Sequence, residues 1–194
     1  MFIISVATCI VRYAKIKPFE IVLDPMAGSG TLPIEASIQY PRCFSIGGDY
    51  CNEAIEQSGG NSKYSHTLDG LYSRYFQTNS KESCQKQLLS INEVSVIRWD
   101  VTNIPLKDNS IDVIICDMPF GRRSGSFRQN ASLYPKFMKE IVRIIHPQGR
   151  IILLTLQKKL LRRVLKELPS LKIKEVIPCY MGGLELSLYF IVQE

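Results

Sequence analysis

The chain contains no CxxC pair and only two histidines, His66 and His146, far apart in sequence. Zinc sites need clustered cysteine and histidine ligands, so no structural metal is expected. The six cysteines (Cys9, Cys43, Cys51, Cys84, Cys116 and Cys179) are scattered, and Cys116 ends the apolar run Val-Ile-Ile-Cys. Free thiols in a reducing compartment account for them. No run is long and uncharged enough to cross a bilayer. The apolar start, Met1 to Ile10, lacks a basic flank ahead of it, and Arg12, Lys15 and Lys17 follow soon after. It reads as a helix packed by its apolar face rather than a signal peptide. So abrupt an apolar beginning also suggests that upstream sequence is missing. Negative charge is in short supply: 18 Asp and Glu stand against 24 Lys and Arg, for a net charge of +6. That surplus suits a polyanionic partner, although basic surfaces without one are common.

What is present is one domain's worth of core, 194 residues at 45% hydrophobic, with no internal repeat. Strand-like and helix-like segments alternate along it. A helix is expected over Ser5 to Tyr13, ending before Pro18, since the residue before a proline disfavours helical geometry. Glu20 to Leu23 reads as a strand running into Asp24, Thr31 to Ser37 as a helix, and Phe44 to Ile46 as a strand ending near Asp49. Asn52 to Gln57 begins another helix. Residues 58 to 92 form a polar insertion carrying Tyr64, Tyr72, Tyr75 and Phe76. Val94 to Arg98 delivers Trp99 and Asp100. The continuous apolar run Ile111 to Cys116 is the strand type expected when both sheet faces are covered. A helix from about Tyr134 to Ile145, a turn at Pro147 to Gly149, a strand over Arg150 to Thr155 and an amphipathic helix over Lys158 to Leu168 follow. Lys172 to Tyr180 and Leu184 to Val192, linked by Met181-Gly182-Gly183, must be antiparallel neighbours, because parallel strands need a crossover. A parallel α/β sheet closed by such a hairpin is the class I methyltransferase arrangement.

The segment DPMAGSG, Asp24 to Gly30, lies between a strand and a helix, where open α/β sheets bind ligands. Gly28 and Gly30 let backbone approach a ligand closely. No Lys-Ser/Thr pair follows, which disfavours a phosphate-binding loop, and Pro33 stands where a dinucleotide loop has its third glycine. Asp49 closes the next strand, placed to accept from both ribose hydroxyls, and Asp100 closes the one after, placed to accept from an adenine amine. Singly, each acid reads as a cap or turn residue. The ordered set suits an adenosine cofactor bearing a positive sulfonium.

Asp117-Met118-Pro119-Phe120-Gly121 follows the strongest strand. An exocyclic amine on a base is a poor nucleophile, because its lone pair is delocalised into the ring. Its catalyst must hold the amine hydrogens and stack the base. The Asp117 carboxylate and the Met118 carbonyl are the acceptors, Phe120 the stacking ring, and Pro119 fixes the turn. Arg122, Arg123 and Arg128, among Ser124, Ser126, Gln129 and Asn130, read as a basic loop for phosphate contacts.

DPMAGSG, the IGGD ending at Asp49, the RWD ending at Asp100, DMPFG and MGGLELSLYF together resemble the THUMP-domain guanine-N2 tRNA methyltransferases, in their eukaryotic branch. The resemblance runs over nearly the whole chain. It implies a Rossmann-like class I fold with a seven-stranded, mostly parallel sheet and terminal antiparallel hairpin, occupying 1–194 as one catalytic domain. It implies S-adenosylmethionine held by Asp24, Pro25, Gly28, Gly30, Asp49 and Asp100, with Asp117, Pro119 and Phe120 forming the catalytic loop. The implied substrate is RNA, foremost tRNA, with a small nuclear RNA as the related branch's target. A small zinc-binding activator subunit is an implied partner, and the cytoplasm, or else the nucleus, the implied compartment. Met118 stands where such proteins commonly have Leu, Ile or Pro, and no THUMP module precedes Met1. A scaffold that keeps the fold without turnover, and transfer to adenine N6 or a protein amide, remain the alternatives. A dehydrogenase is disfavoured by the glycine pattern and the hairpin.

Overall fold

The computed structural model describes residues 4–52, 56, 94–120 and 127–194. Helix α1 (Ile4–Tyr13) leads into β1 (Ile21–Asp24), α2 (Thr31–Gln39) and β2 (Phe44–Asp49). After the insertion come β3 (Ser95–Arg98), β4 (Ile111–Asp117), α3 (Phe127–Ile144), β5 (Ile145–Thr155) and α4 (Lys158–Lys166). The long strands β6 (Leu171–Met181) and β7 (Leu184–Gln193) close the chain.

These strands form one seven-stranded sheet in the order β3-β2-β1-β4-β5-β7-β6. The first five strands pair in parallel, whereas β7 pairs antiparallel to both β5 and β6. Gly182 and Gly183 join β6 to β7 with φ of +55° and +75°. Consecutive left-handed residues make the two-residue turn whose twist matches paired strands, and glycine adopts it without a Cβ penalty. The expected parallel sheet with a terminal hairpin is therefore present.

Alternation along the strands divides the core. Leu23, Ile114 and Cys116 face α3 and α4, where Phe137, Met138, Ile141, Leu161 and Val164 meet them. Val22, Val113 and Ile115 face the other side, against Ala7, Val11, Leu32 and Ala36 of α1 and α2. Two buried faces explain why these strands read as unbroken apolar runs. Strand order reverses between β1 and β4, and at such a switch point the flanking loops part to leave a crevice beyond the strand ends. Below the crevice, Arg150 ties β5 to the α1–β1 connection. Its guanidinium donates to Glu20 Oε1 at 2.9 Å and Oε2 at 2.6 Å, and to the carbonyls of Ala14 and Lys15.

Two local expectations are corrected. Helix α3 begins at Phe127, not near Tyr134, and Pro135 lies inside it. Proline is favoured in a helix's first turn, so the sequence signalled a start there. Upstream turns form because Asn130 and Tyr134 are anchored by tertiary hydrogen bonds (below). Arg128 consequently stands on the exposed first turn of α3 rather than in a loop. Likewise Pro147 to Gly149 is an irregularity within β5, between the pairs Ile111–Ile145 and Val113–Arg150, rather than a separator. Of the helix expected from Asn52, only Asn52 and Glu56 are described, both helical. The insertion 58–92, Arg122 and Arg123 lie outside the described residues.

Trp99 locks the β2–β3 edge to the glycine loop. It is 5% exposed, and its indole Nε1–H donates to the Pro25 carbonyl at 3.1 Å. Its ring lies flat on Gly48, where a Cβ would come 1.8 Å from Cε2. Gly48→Ala must therefore displace the indole and is expected to cost about 3 kcal/mol, in the manner of an overpacked core. Urea unfolding followed by the fluorescence of this single tryptophan measures it. An unchanged midpoint would contradict the packing.

Candidate active site

The C-terminal ends of β1, β2 and β4 each carry an aspartate: Asp24, Asp49 and Asp117. Asp100 follows β3 by two residues, and the Trp99 amide bonds to the Asp49 carbonyl at 3.0 Å, holding the two acids' strands side by side. Parallel pairing thus gathers at one edge the acids that the sequence spaces along nearly a hundred residues.

On the β1–β2 side, Gly28 and Gly30 both take left-handed backbone, φ +53° and +76°. No described atom lies within 4 Å of where a Gly28 Cβ would point, so the loop is open there. The Gly28 amide donates to Asp49 Oδ2 at 2.9 Å, and the Cys51 amide to Oδ1 at 3.0 Å. Each oxygen keeps a lone pair for a further donor, as a ribose diol requires. Asp100 is exposed, and its Oδ1 takes both the amide and the hydroxyl of Thr102 at 2.8 Å. Those two bonds lower its pKa. Oδ1 thus serves the turn, while Oδ2 remains for an incoming amine. The Pro25 carbonyl also accepts the Trp99 indole, which ties this end of the glycine loop to the β2–β3 edge.

On the β4 side the loop Met118-Pro119-Phe120 is held from beneath. The Met118 amide bonds to the Leu154 carbonyl at 3.0 Å. The Pro119 carbonyl accepts from Asn130 Nδ2 at 2.7 Å and from the Tyr134 hydroxyl at 3.1 Å. Tyr134 Oη also lies 3.0 Å from Thr155 Oγ1, which in turn accepts the Gln157 amide at 2.9 Å. Asn130, Tyr134 and Thr155 are all at most 1% exposed. With both lone pairs occupied, the Pro119 carbonyl cannot serve a ligand, and the acceptors left to the pocket are Asp117 and the Met118 carbonyl. Phe120 packs partly against the α1 side of the core, leaving part of its ring exposed. Sequence reasoning missed this clamp. The signal was there: Asn130 stands four residues before Tyr134, on the stripe that continues through Phe137, Met138 and Ile141.

Electrostatics sets the site's character. Burial pushes the Asp117 carboxyl up to about 7, and its Oδ1 has no hydrogen-bond partner. Asp24, only 3% exposed, is raised well above the usual range, by burial first and then by Asp117 and Asp49, against bonds from the Met26 amide at 3.1 Å and from the Cys116 thiol. Among the described residues, none of the five ion pairs involves these acids. A buried cluster of acids without a cation favours a positively charged ligand, which lowers the cost of ionising them. The residues therefore fit a cofactor with a neutral adenosine end and a cationic centre. Among the described residues no cluster able to hold a metal ion occurs.

The raised pKa of Asp117 has a consequence for stability. Unfolded, the carboxyl ionises near 4; folded, it keeps its proton to about 7. Between those values the native state binds the extra proton, so stability falls as pH rises through that window. Asp117→Asn removes this cost. The variant is expected to melt above wild type at pH 8 and level with it at pH 4, by calorimetric scanning. An equal difference at both pH values would show that folding leaves the Asp117 pKa unshifted.

This fold has counterparts of known structure. TrmN from Thermus thermophilus superposes with a TM-score of 0.76 at 22% identity, covering 100% of this chain and 49% of that one. SMU.472, a putative methyltransferase complexed with SAH, gives 0.72 at 15% identity, covering 98% and 52%. Both likenesses speak to the fold. By sequence, the mouse (Mus musculus) tRNA (guanine(6)-N(2))-methyltransferase THUMP3 is 32% identical over 189 residues, which are 96% of this chain. The chain spans only 35% of that relative's length. The RMKL-like methyltransferase domain family matches residues 4–185, and with that match over the sheet, the glycine loop and the DMPF loop, the chain belongs to this family of methyltransferase domains.

Proposed function

We propose that the chain is the catalytic domain of an S-adenosylmethionine-dependent RNA methyltransferase that acts on guanine N2, in tRNA. The observation that carries this reading is the pairing of a buried, unpartnered Asp117 oxygen with a Pro119 carbonyl already saturated by Asn130 and Tyr134. Such a loop offers the Asp117 carboxylate and the Met118 carbonyl to the two hydrogens of one amine, and little else. The named relatives, tRNA and U6 snRNA guanine-N2 methyltransferases, support guanine in RNA over adenine or a protein amide.

The cofactor supplies an electrophilic methyl group carried on a sulfonium. Asp49 and the Gly28 backbone hold its ribose end, Asp100 Oδ2 accepts from the adenine amine, and Asp24 faces the cationic end. Asp117 and the Met118 carbonyl orient the amine toward the methyl, and Phe120 stacks on the base. The amine becomes acidic as it is methylated, so its proton passes to Asp117 or to water. Arg128, on the exposed first turn of α3, and Arg122 and Arg123 before it are assigned to phosphate contacts. The net charge of +6 supports a polyanionic partner. Exposed Phe44, Tyr50 and Ile97, at 54%, 72% and 39%, lie on or beside β2 and β3, an apolar edge suited to a small activator subunit. No described helix is long and apolar enough to cross a membrane, and the cytoplasm is the compartment we assign.

The first test is calorimetric titration of S-adenosylhomocysteine. Asp49→Ala is expected to weaken binding about 10- to 100-fold, the loss typical of hydrogen bonds to a charged group. Labelled methyl transfer to tRNA transcripts, followed by nucleoside analysis, should yield N2-methylguanosine. A methylated adenine, or label only in protein, would sink the substrate assignment.

The clamp makes a separate prediction. Tyr134→Phe deletes the hydroxyl joining Pro119 to Thr155 and should slow turnover about tenfold, the kinetic equivalent of one hydrogen bond. Affinity for S-adenosylhomocysteine should not change, because Tyr134 lies on the substrate side of the loop. Weakening of both by the same factor would mean a general loosening of the fold.

A further inference from the structure

Gln157 is the second polar group in this region without a partner. The residue is 4% exposed, yet neither its side-chain oxygen nor its nitrogen makes a hydrogen bond. A carboxamide has two acceptor sites and two donors, and native proteins seldom bury one wholly unsatisfied. It stands at the N-cap of α4 but makes no side-chain cap, so the helix end does not use it. Among the described residues, the orphaned buried side-chain atoms belong to Asp117, Gln157 and Gln193. Gln193 pairs with Leu171, at the far end of the sheet from the crevice. The other two stand at the same end of the sheet, beside the crevice. Asp117 pairs with Leu154 across the parallel β4–β5 ladder, and Gln157 follows Leu154 by three residues. Its backbone amide is joined to the catalytic loop through Thr155, Tyr134 and the Pro119 carbonyl.

We infer that Gln157 is a specificity-determining residue that reads the guanine edge beside the reacting amine. This rests on the guanine-N2 reading above. With N2 held by Asp117 and the Met118 carbonyl, the next groups along the same base edge are N1–H, a donor, and O6, an acceptor. The Gln157 oxygen accepts from N1–H while its NH2 group donates to O6, a bidentate pair. Adenine held by its own amine offers an acceptor at N1 and then only a carbon-bound hydrogen, so one of the two bonds is lost. Phe120 and the acidic loop select for a planar base with an amine. The buried carboxamide selects guanine, because leaving it unpaired penalises the wrong base.

The test compares two RNAs on the same chain, one with guanine at the methylated position and one with 2-aminopurine, which keeps the N2 amine but lacks O6 and N1–H. Wild type should prefer guanine by about 10- to 100-fold in kcat/KM, the usual discrimination of a bidentate pair. Gln157→Leu, an apolar side chain of similar size, should lower transfer to guanine more than transfer to 2-aminopurine, which keeps at most one of the two bonds, and so erase most of the preference. Its melting temperature should equal or exceed wild type, because a buried unsatisfied amide is removed. An equal fall on both RNAs, or a lowered melting temperature, would overturn the inference by showing that Gln157 serves the fold. Retained preference for guanine in the variant would overturn it too. Wild type inactive on both RNAs would count against the guanine-N2 reading itself and take this inference with it.

Discussion

Asp24, which water scarcely reaches, and the half-buried Asp117, with one oxygen cut off from water, stand at the ends of adjacent strands, and the crevice is organised around that unfavourable placement. Burial raises both, and Asp117 adds to the cost of ionising Asp24. A protein keeps such an arrangement where a ligand relieves it, and a cationic centre bound between β1 and β4 would do so. The same burial gives Asp117 a pKa near working pH, so its acceptor strength responds to what is bound beside it.

Rigidity around these acids comes from bonds that do not touch the ligand. Trp99 on Gly48 fixes the glycine loop from one side, and the Asn130–Tyr134–Thr155 network fixes the DMPF loop from the other. Both supports use a backbone carbonyl of a proline, Pro25 and Pro119, as their anchor. Proline restricts its own φ, so a bond to its carbonyl is made to an already stiff segment and costs less entropy to hold. On the proposed reading, the effect is to leave the Met118 carbonyl beside Asp117 for the substrate.

On the function proposed above, the two halves of the crevice divide the chemistry between them. β1, β2 and β3 supply a cofactor side built from glycine backbone and aspartates whose oxygens are already partly bonded. β4, β5 and the first turns of α3 and α4 supply a substrate side built from buried polar groups, of which Asp117 and Gln157 have bonds still to make. Adenosine and a base are thereby met by different means: one by open loop and exposed acceptors, the other by desolvated groups that penalise a wrong fit.

Much of this was legible in the chain. Apolar runs with an acid at their end marked β1, β2 and β4, because a strand covered on both faces has no room for polar residues until it emerges at the site. Gly28 and Gly30 marked the loop, and Gly182-Gly183 the hairpin, since only glycine takes left-handed backbone freely. What the sequence left open was which polar groups meet. Asn130 looked like a loop residue and the helix looked to start near Tyr134, whereas both residues lie inside it, bonded to the Pro119 carbonyl more than ten residues upstream. Pro25 matched a cofactor motif, and only the fold shows that its carbonyl also receives the Trp99 indole. Spacing along the chain determines periodicity and backbone freedom, which are local. The pairing of a buried donor with a distant acceptor, and the orphaning of Gln157, follow from where the sheet brings segments together, and only the tertiary structure decides that.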